Sequence, residues 1–184
     1  MTPALLIPAN VRPRQGRGAR RWVAAAIALA LVFGAGSVAP SGAQTAILGY
    51  LENVRLMPDD IAIRAKLDTG ADVTSLHALD IRHVDRQGEK WVRFTVEAPN
   101  GRTATFERKL VRTMRIKRHG GGTEQRPVVK LAFCVAAQTI EAEVNLVDRT
   151  GFNEPMLIGR NAMPTGIAID PHRTATAPPT CAAK

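Results

Sequence analysis

The stretch Ile61-Ala62-Ile63-Arg64-Ala65-Lys66-Leu67-Asp68-Thr69-Gly70-Ala71-Asp72-Val73-Thr74 decides how this chain is read. Residues 61–67 form a β-type run, and such a run delivers Asp68 at a strand end. Gly70 then permits a tight backbone turn, and a second extended run begins at Val73. A carboxylate is thereby held on a sharp turn between two strands. Asp-Thr-Gly taken alone is weak evidence, because Asp and Gly are ordinary turn residues and a turn aspartate needs no chemistry.

Working outward, short alternating or apolar runs follow one another with turn residues between them, which predicts an all-β domain. The expected strands are residues 47–56, 61–67, 73–78, 91–98, 103–111, 112–118, 128–136, 141–146 and 156–158. Asn100-Gly101 is a hairpin turn signal, since both residues tolerate positive φ. His119-Gly120-Gly121-Gly122 is a second turn or flexible loop. Residues 161–164 read as one short helical start. Residues 166–170 read as a last strand that Pro171 stops. Residues 173–184, rich in Thr, Ala and Pro, have no apolar period and are expected to be a disordered tail.

The chain has 184 residues, 45% of them apolar, enough for one domain with a modest core. Its net charge of +9 is unevenly spread: five of the 25 basic residues lie in residues 1–43, which hold no acid, leaving 20 against 16 acidic residues. Aromatics are only 4% of the chain. A balance of this kind, without a basic stripe interleaved with aromatics, gives no nucleic-acid signal. Residues 1–43 read as a secretory signal: an arginine-rich start, an apolar run from Trp22 to Phe33, and small residues ending in Ser41-Gly42-Ala43. Residues 44–172 then form the exported domain, with the periplasm as the expected destination. The competing reading is a membrane anchor over residues 22–38, which is short for a span. Cys134 lies in an apolar run and Cys181 in the loose tail, so two unpaired thiols are expected.

Leu67-Asp68-Thr69-Gly70-Ala71-Asp72-Val73-Thr74 resembles the active-site loop of retropepsins. Downstream, Met156-Leu157-Ile158-Gly159-Arg160-Asn161 resembles the element that in those enzymes threads through that loop and opens a short helix. Across residues 48–171 the chain is similar to a bacterial retropepsin-like group often labelled ATP-dependent zinc proteases. The residues carrying this are 49–52, 65–71, 75–78, 126–129, 145–149 and 157–160. The resemblance implies a small closed barrel of the acid-protease type with one short helix near its C-terminal end. It implies aspartic endopeptidase activity with Asp68 catalytic, Thr69 hydrogen-bonded across a dyad, and the Gly70 carbonyl aligning substrate. Ala71 and Asp72 border the substrate, and Arg160 and Asp72 are expected to form a partly buried ion pair. Gly159 and Ser75 support the site.

The label's cofactors find no motif here. The chain has no Gly-x-x-x-x-Gly-Lys-Ser/Thr phosphate loop, and His77, His83, His119 and His172 are scattered with none paired four residues apart. No cofactor and no metal are expected, and His77 reads as a hydrogen-bonded structural histidine. Two carboxylates must share one proton in aspartic peptidase chemistry. Only one Asp-Thr-Gly is present, so a symmetric homodimer acting on a peptide or protein substrate is expected. Lys66, Arg126 and Arg149 are read either as solvated cations or as a basic cleft selecting acidic substrates. Between the two motifs, Pro99-Asn100-Gly101 is preferred over residues 119–123 as the flap. The alternative functions are an exported, non-catalytic barrel that binds peptides or an envelope component, and the zinc-dependent peptidase of the label.

Overall fold

The structure, a computed structural model, describes residues 45–117 and 120–182. The signal and anchor expected at the N-terminus lie outside the described residues, as do Arg118 and His119. Among the described residues no helix is long and apolar enough to cross a membrane.

Ten strands follow in order: β1 (Ala46–Met57), β2 (Ile61–Leu67), β3 (Thr74–His77), β4 (Leu79–Arg86), β5 (Glu89–Glu97), β6 (Thr103–Lys117), β7 (Thr123–Val135), β8 (Gln138–Val147), β9 (Met156–Ile158) and β10 (Ile167–Thr174). They hydrogen-bond in the order β10-β1-β2-β9-β3-β8-β7-β6-β5-β4, and a further pairing of β1 with β7 closes six of them, β1-β2-β9-β3-β8-β7, into a barrel. The fold is the retropepsin-like barrel expected from the sequence. In β2 the residues alternate strictly between buried and exposed, with Ile61, Ile63, Ala65 and Leu67 inward, as a strand with one face in a core requires. These four pack with Val54, Leu56, Leu76, Val129, Leu131, Phe133, Val144, Leu146, Met156 and Ile158.

Several elements differ from the sequence reading. Residues 103–117 form one long strand, because β6 pairs first with β5 and then, past an irregularity between Leu110 and Arg112, with β7. One strand thus serves both the barrel and a β4-β5-β6 meander, whose own buried face carries Val92, Phe94, Val96 and Phe106, with the two phenylalanine rings stacked 5.4 Å apart. Strand β4 had no clear signal, since its register shifts between Leu79 and Arg82 and Asp80 takes a positive φ of 51°, which breaks the period-2 pattern. The short helix is a single 3-10 turn at Arg160–Ala162.

The C-terminal end is also corrected. Pro171 does not stop the last strand: β10 pairs in parallel with β1 and continues to Thr174 across an irregularity between Gly49 and Leu51. The segment beyond it is tied down. Cys134 and Cys181 are joined in a disulfide with a Cα–Cα distance of 5.9 Å, so the expectation of two unpaired thiols is overturned. Sequence position misled here, because β1 brings the tail beside β7 although the two cysteines are 47 residues apart.

Candidate active site

Strand β9 lies between β2, to which it is parallel, and β3, to which it is antiparallel. The link from β2 to β3, residues 68–73, must therefore pass over the end of β9. Three backbone hydrogen bonds fix the crossing: Asp68 N–H to the Ile158 carbonyl at 2.9 Å, Arg160 N–H to the Ala71 carbonyl at 2.9 Å, and Asn161 N–H to the Asp72 carbonyl at 3.1 Å. Contact is close enough that a Cβ on Gly159 would stand 2.7 Å from the Val73 backbone, so glycine is needed there for space. The two motifs, almost ninety residues apart in the chain, thus form one object.

Thr74 is the hub of this object, and sequence reasoning gave it no role. Its N–H and hydroxyl both donate to Asn161 Oδ1 at 2.9 Å, and its hydroxyl accepts the Gly159 N–H at 3.2 Å. Its carbonyl accepts from Asn145 Nδ2 at 2.7 Å. Asn161 Nδ2 reaches on to the Glu143 carbonyl at 2.9 Å. Thr74 and Asn145 are both buried, so each polar group needs the partner it has. The available signal was Asn145, a polar residue within the short apolar stretch 144–147 that ends β8.

Asp68 stands at the mouth of the crossing with its side chain 26% exposed. Its Oδ1 accepts the Gly70 N–H at 3.0 Å, and Oδ2 lies 3.2 Å from the Lys66 ammonium. Partial burial pushes the carboxyl pKa upward. The Lys66 hydrogen bond and charge, with the Gly70 and Ala71 N–H groups, outweigh that and hold it below the ordinary aspartate value. In a single chain Asp68 is accordingly an ionised carboxylate facing solvent. Thr69 is exposed, and its carbonyl accepts from Arg160 Nη1 at 2.7 Å. Arg160 and Asp72 form the expected ion pair, but with side chains 54% and 80% exposed it is not the partly buried pair anticipated.

Ser75, Arg126 and Arg149 come together beside this crossing. Arg149 is 8% exposed, and its guanidinium donates to Ser75 Oγ at 2.9 Å and to the Glu154 carbonyl at 3.1 Å, with its cation 4.4 Å from the Phe152 ring centre. Burial, and secondarily the positive charge of Arg126, lower its pKa. Arg126 pairs with Glu124 at 2.9 Å and reaches Asn145 Oδ1 at 3.5 Å, while its Nε is buried without a partner. The bland reading of both as solvated cations does not describe Arg149.

His77 Nδ1 accepts the Arg149 N–H at 2.8 Å, a structural hydrogen bond. Among the described residues no three His, Cys, Asp or Glu side chains cluster as metal ligands would. The flap preference is corrected. Arg102, beside the Pro99-Asn100-Gly101 turn, donates to the Asp60 carbonyl at 3.1 Å. Asp60 belongs to the β1–β2 turn, at the opposite end of β2 from Asp68, so this turn lies away from the Asp68 of its own chain.

A family model described as RimB-like, retropepsin-like aspartic endopeptidase RimB, matches residues 47–180. A "Probable alpha-L-glutamate ligase" from Shewanella pealeana is 35% identical over 113 residues, which is 60% of this chain and 25% of the relative. A protein of the same name from Desulfotalea psychrophila is 33% identical over 113 residues, 60% of this chain and 24% of the relative. The chain thus matches about a quarter of the length of these curated relatives. The crystal structure of Lpg0085, a protein of unknown function from Legionella pneumophila, is similar with a TM-score of 0.62 at 35% identity, covering 72% of this chain and 98% of that one.

Proposed function

We propose that this chain, which belongs to the RimB-like family of retropepsin-like aspartic endopeptidases, hydrolyses peptide bonds with a water activated between two Asp68 carboxylates, one from each chain of a homodimer. The observation that carries the reading is Asp68 on a turn pinned by Ile158, Arg160 and Asn161, with its carboxylate partly exposed at the mouth of the crossing; the chain carries this Asp-Thr-Gly turn once. A two-fold axis past this turn would supply the second carboxylate. The ionised Asp68 takes a proton from water as the oxygen attacks the scissile carbonyl carbon. The protonated Asp68 hydrogen-bonds to the carbonyl oxygen, and the proton is then passed to the leaving nitrogen. Like charges in contact raise one of the two pKa values, which would offset the depression caused by Lys66. Thr69 and Gly70 then brace the dyad and align substrate, Ala71 and Asp72 border it, and no metal takes part.

The pair Arg126 and Arg149 favours substrates with acidic side chains near the scissile bond. The support is a buried guanidinium with no carboxylate among its bonds, beside a second arginine. The ligase name of the curated relatives belongs to proteins about four times the length of the matched segment, so we assign hydrolysis rather than ligation to this barrel. An exported, periplasmic protein is the setting we propose. The N-terminal signal pattern supports it, and so does the Cys134–Cys181 disulfide, since such bonds persist mainly in oxidising compartments.

Peptide-library digestion tests this. Cleavage by the purified protein should survive a chelator and fall on the order of 100- to 10,000-fold in Asp68→Asn. Full activity in that variant, or abolition by the chelator, would overturn the mechanism.

A further inference from the structure

The C-terminal segment after β10 is fastened to the barrel at two points of different chemistry. The first is Glu52, which is 1% exposed. Its carboxylate accepts the Gly49 N–H at 2.7 Å, the Thr176 N–H at 3.1 Å, the Thr176 hydroxyl at 2.5 Å and the Ala177 N–H at 3.3 Å. A buried carboxylate surrounded by four donors is a satisfied anchor. Gly49 allows the close approach, since a Cβ there would fall 2.3 Å from the Arg173 carbonyl oxygen. The second point is the disulfide, supported by the Thr180 N–H to the Ala136 carbonyl at 2.7 Å and by Arg55 Nη2 donating to the Cys181 carbonyl at 2.5 Å.

Between these points the segment runs along one edge of β1. That edge pairs with β10 up to Leu51 and with β7 from Val54. Neither strand covers Glu52 and Asn53, and the Ala175 N–H bonds to the Leu51 carbonyl at 2.7 Å where the gap begins. Residues 175–181 are therefore a strap over a break in strand pairing. The two ends differ in what can undo them. Cys134 is fully buried while Cys181 is partly exposed, so a thiolate from solvent would approach the bond from the Cys181 side.

We propose that the Cys134–Cys181 disulfide is a redox latch on this strap, which is open when the cysteines are reduced and closed when they are joined, with Glu52 as the fixed hinge. The opening reagent is a dithiol of the thiol–disulfide oxidoreductase class. One of its thiolates attacks the Cys181 sulfur, Cys134 leaves as a thiolate and takes up a proton, and the second thiol resolves the mixed disulfide. Two electrons and two protons pass to the protein, and the dithiol becomes a disulfide. Residues 178–182 then lift, while Thr176 and Ala177 stay on Glu52 and the barrel keeps its strands. In a reducing compartment the strap is open; in an oxidising one it closes over the β1 edge. This inference does not depend on the proposed peptidase activity.

Hydrogen exchange read by mass spectrometry, on the protein with and without dithiothreitol and on Cys181→Ser, tests it. The amides of residues 180 and 181, which donate to the Ala136 carbonyl and to Cys134 Sγ, should exchange at least about tenfold faster in the reduced protein and in the variant, while β7 and β8 keep their protection. Unchanged exchange in the strap would overturn the latch, because the strap would then be held without the bond. Loss of protection throughout the barrel would overturn it too, because the disulfide would then hold the whole fold rather than one segment.

Discussion

At the scale of the residue, the chemistry of Asp68 is set by its neighbours. Lys66 lies 3.2 Å away and favours the ionised carboxyl. Removing that cation in Lys66→Met should raise the pKa of Asp68, so that a higher pH is needed to ionise it. Both limbs of the pH–activity profile should move toward alkaline pH, which a series of kcat/KM measurements would read. A shift toward acid would contradict the assigned sign. Thr74→Val leaves Asn161 Oδ1 and the Gly159 N–H without their hydroxyl partner. It should cost about 1–3 kcal/mol in denaturant unfolding. Arg160→Ala breaks only an exposed pair with Asp72 and a bond to the Thr69 carbonyl, and should cost about 1 kcal/mol or less. Asp68 and the Asp72–Arg160 pair were legible because each lies in a short motif with its own residue pattern. Thr74 was not, because its importance comes from facing Asn161 and Asn145, which lie 87 and 71 residues away.

At the scale of the element, the crossing of residues 68–73 over β9 leaves no room for a side chain at Gly159. Gly159→Ala should therefore push the active-site turn away from Arg160, with activity falling more steeply than stability, as parallel assays of turnover and thermal unfolding would show. Equal activity in the variant would mean that the turn is not held as described. The strap gives a second prediction at this scale. Its disulfide closes a segment with a sequence separation of 47 residues. Because the bond holds residues 178–182 rather than the whole fold, its loss in Cys181→Ser should lower global unfolding stability by about 1 kcal/mol or less, below the about 2–4 kcal/mol usual for a disulfide, as denaturant unfolding would show. Strand β2 was readable because its alternation between core and solvent is strict. Strand β4 was not, since an irregular register interrupts its period. The division of residues 103–117 into two strands failed for another reason: one continuous strand changes partners at its middle. The tail lacks any apolar period, and what orders it is Glu52 and Cys134, side chains from strands far away in sequence.

At the scale of the whole molecule, the described chain is a closed barrel extended by a meander, with two open edges at β10 and β4. The all-β class followed from the β-type runs and the barrel type from the family resemblance that the two motifs carry, whereas the way β6 links meander and barrel had no sequence marker. A single chain supplies one Asp-Thr-Gly turn, and two-carboxylate chemistry needs another. On the proposed mechanism activity would belong to a dimer, whose equilibrium is tied to protein concentration. The most direct measurement is specific activity as a function of protein concentration, alongside the dimer fraction from sedimentation of the same samples. The account predicts that specific activity falls in proportion to the dimer fraction on dilution and vanishes in the monomer. Undiminished specific activity in samples that sediment wholly as monomer would contradict it.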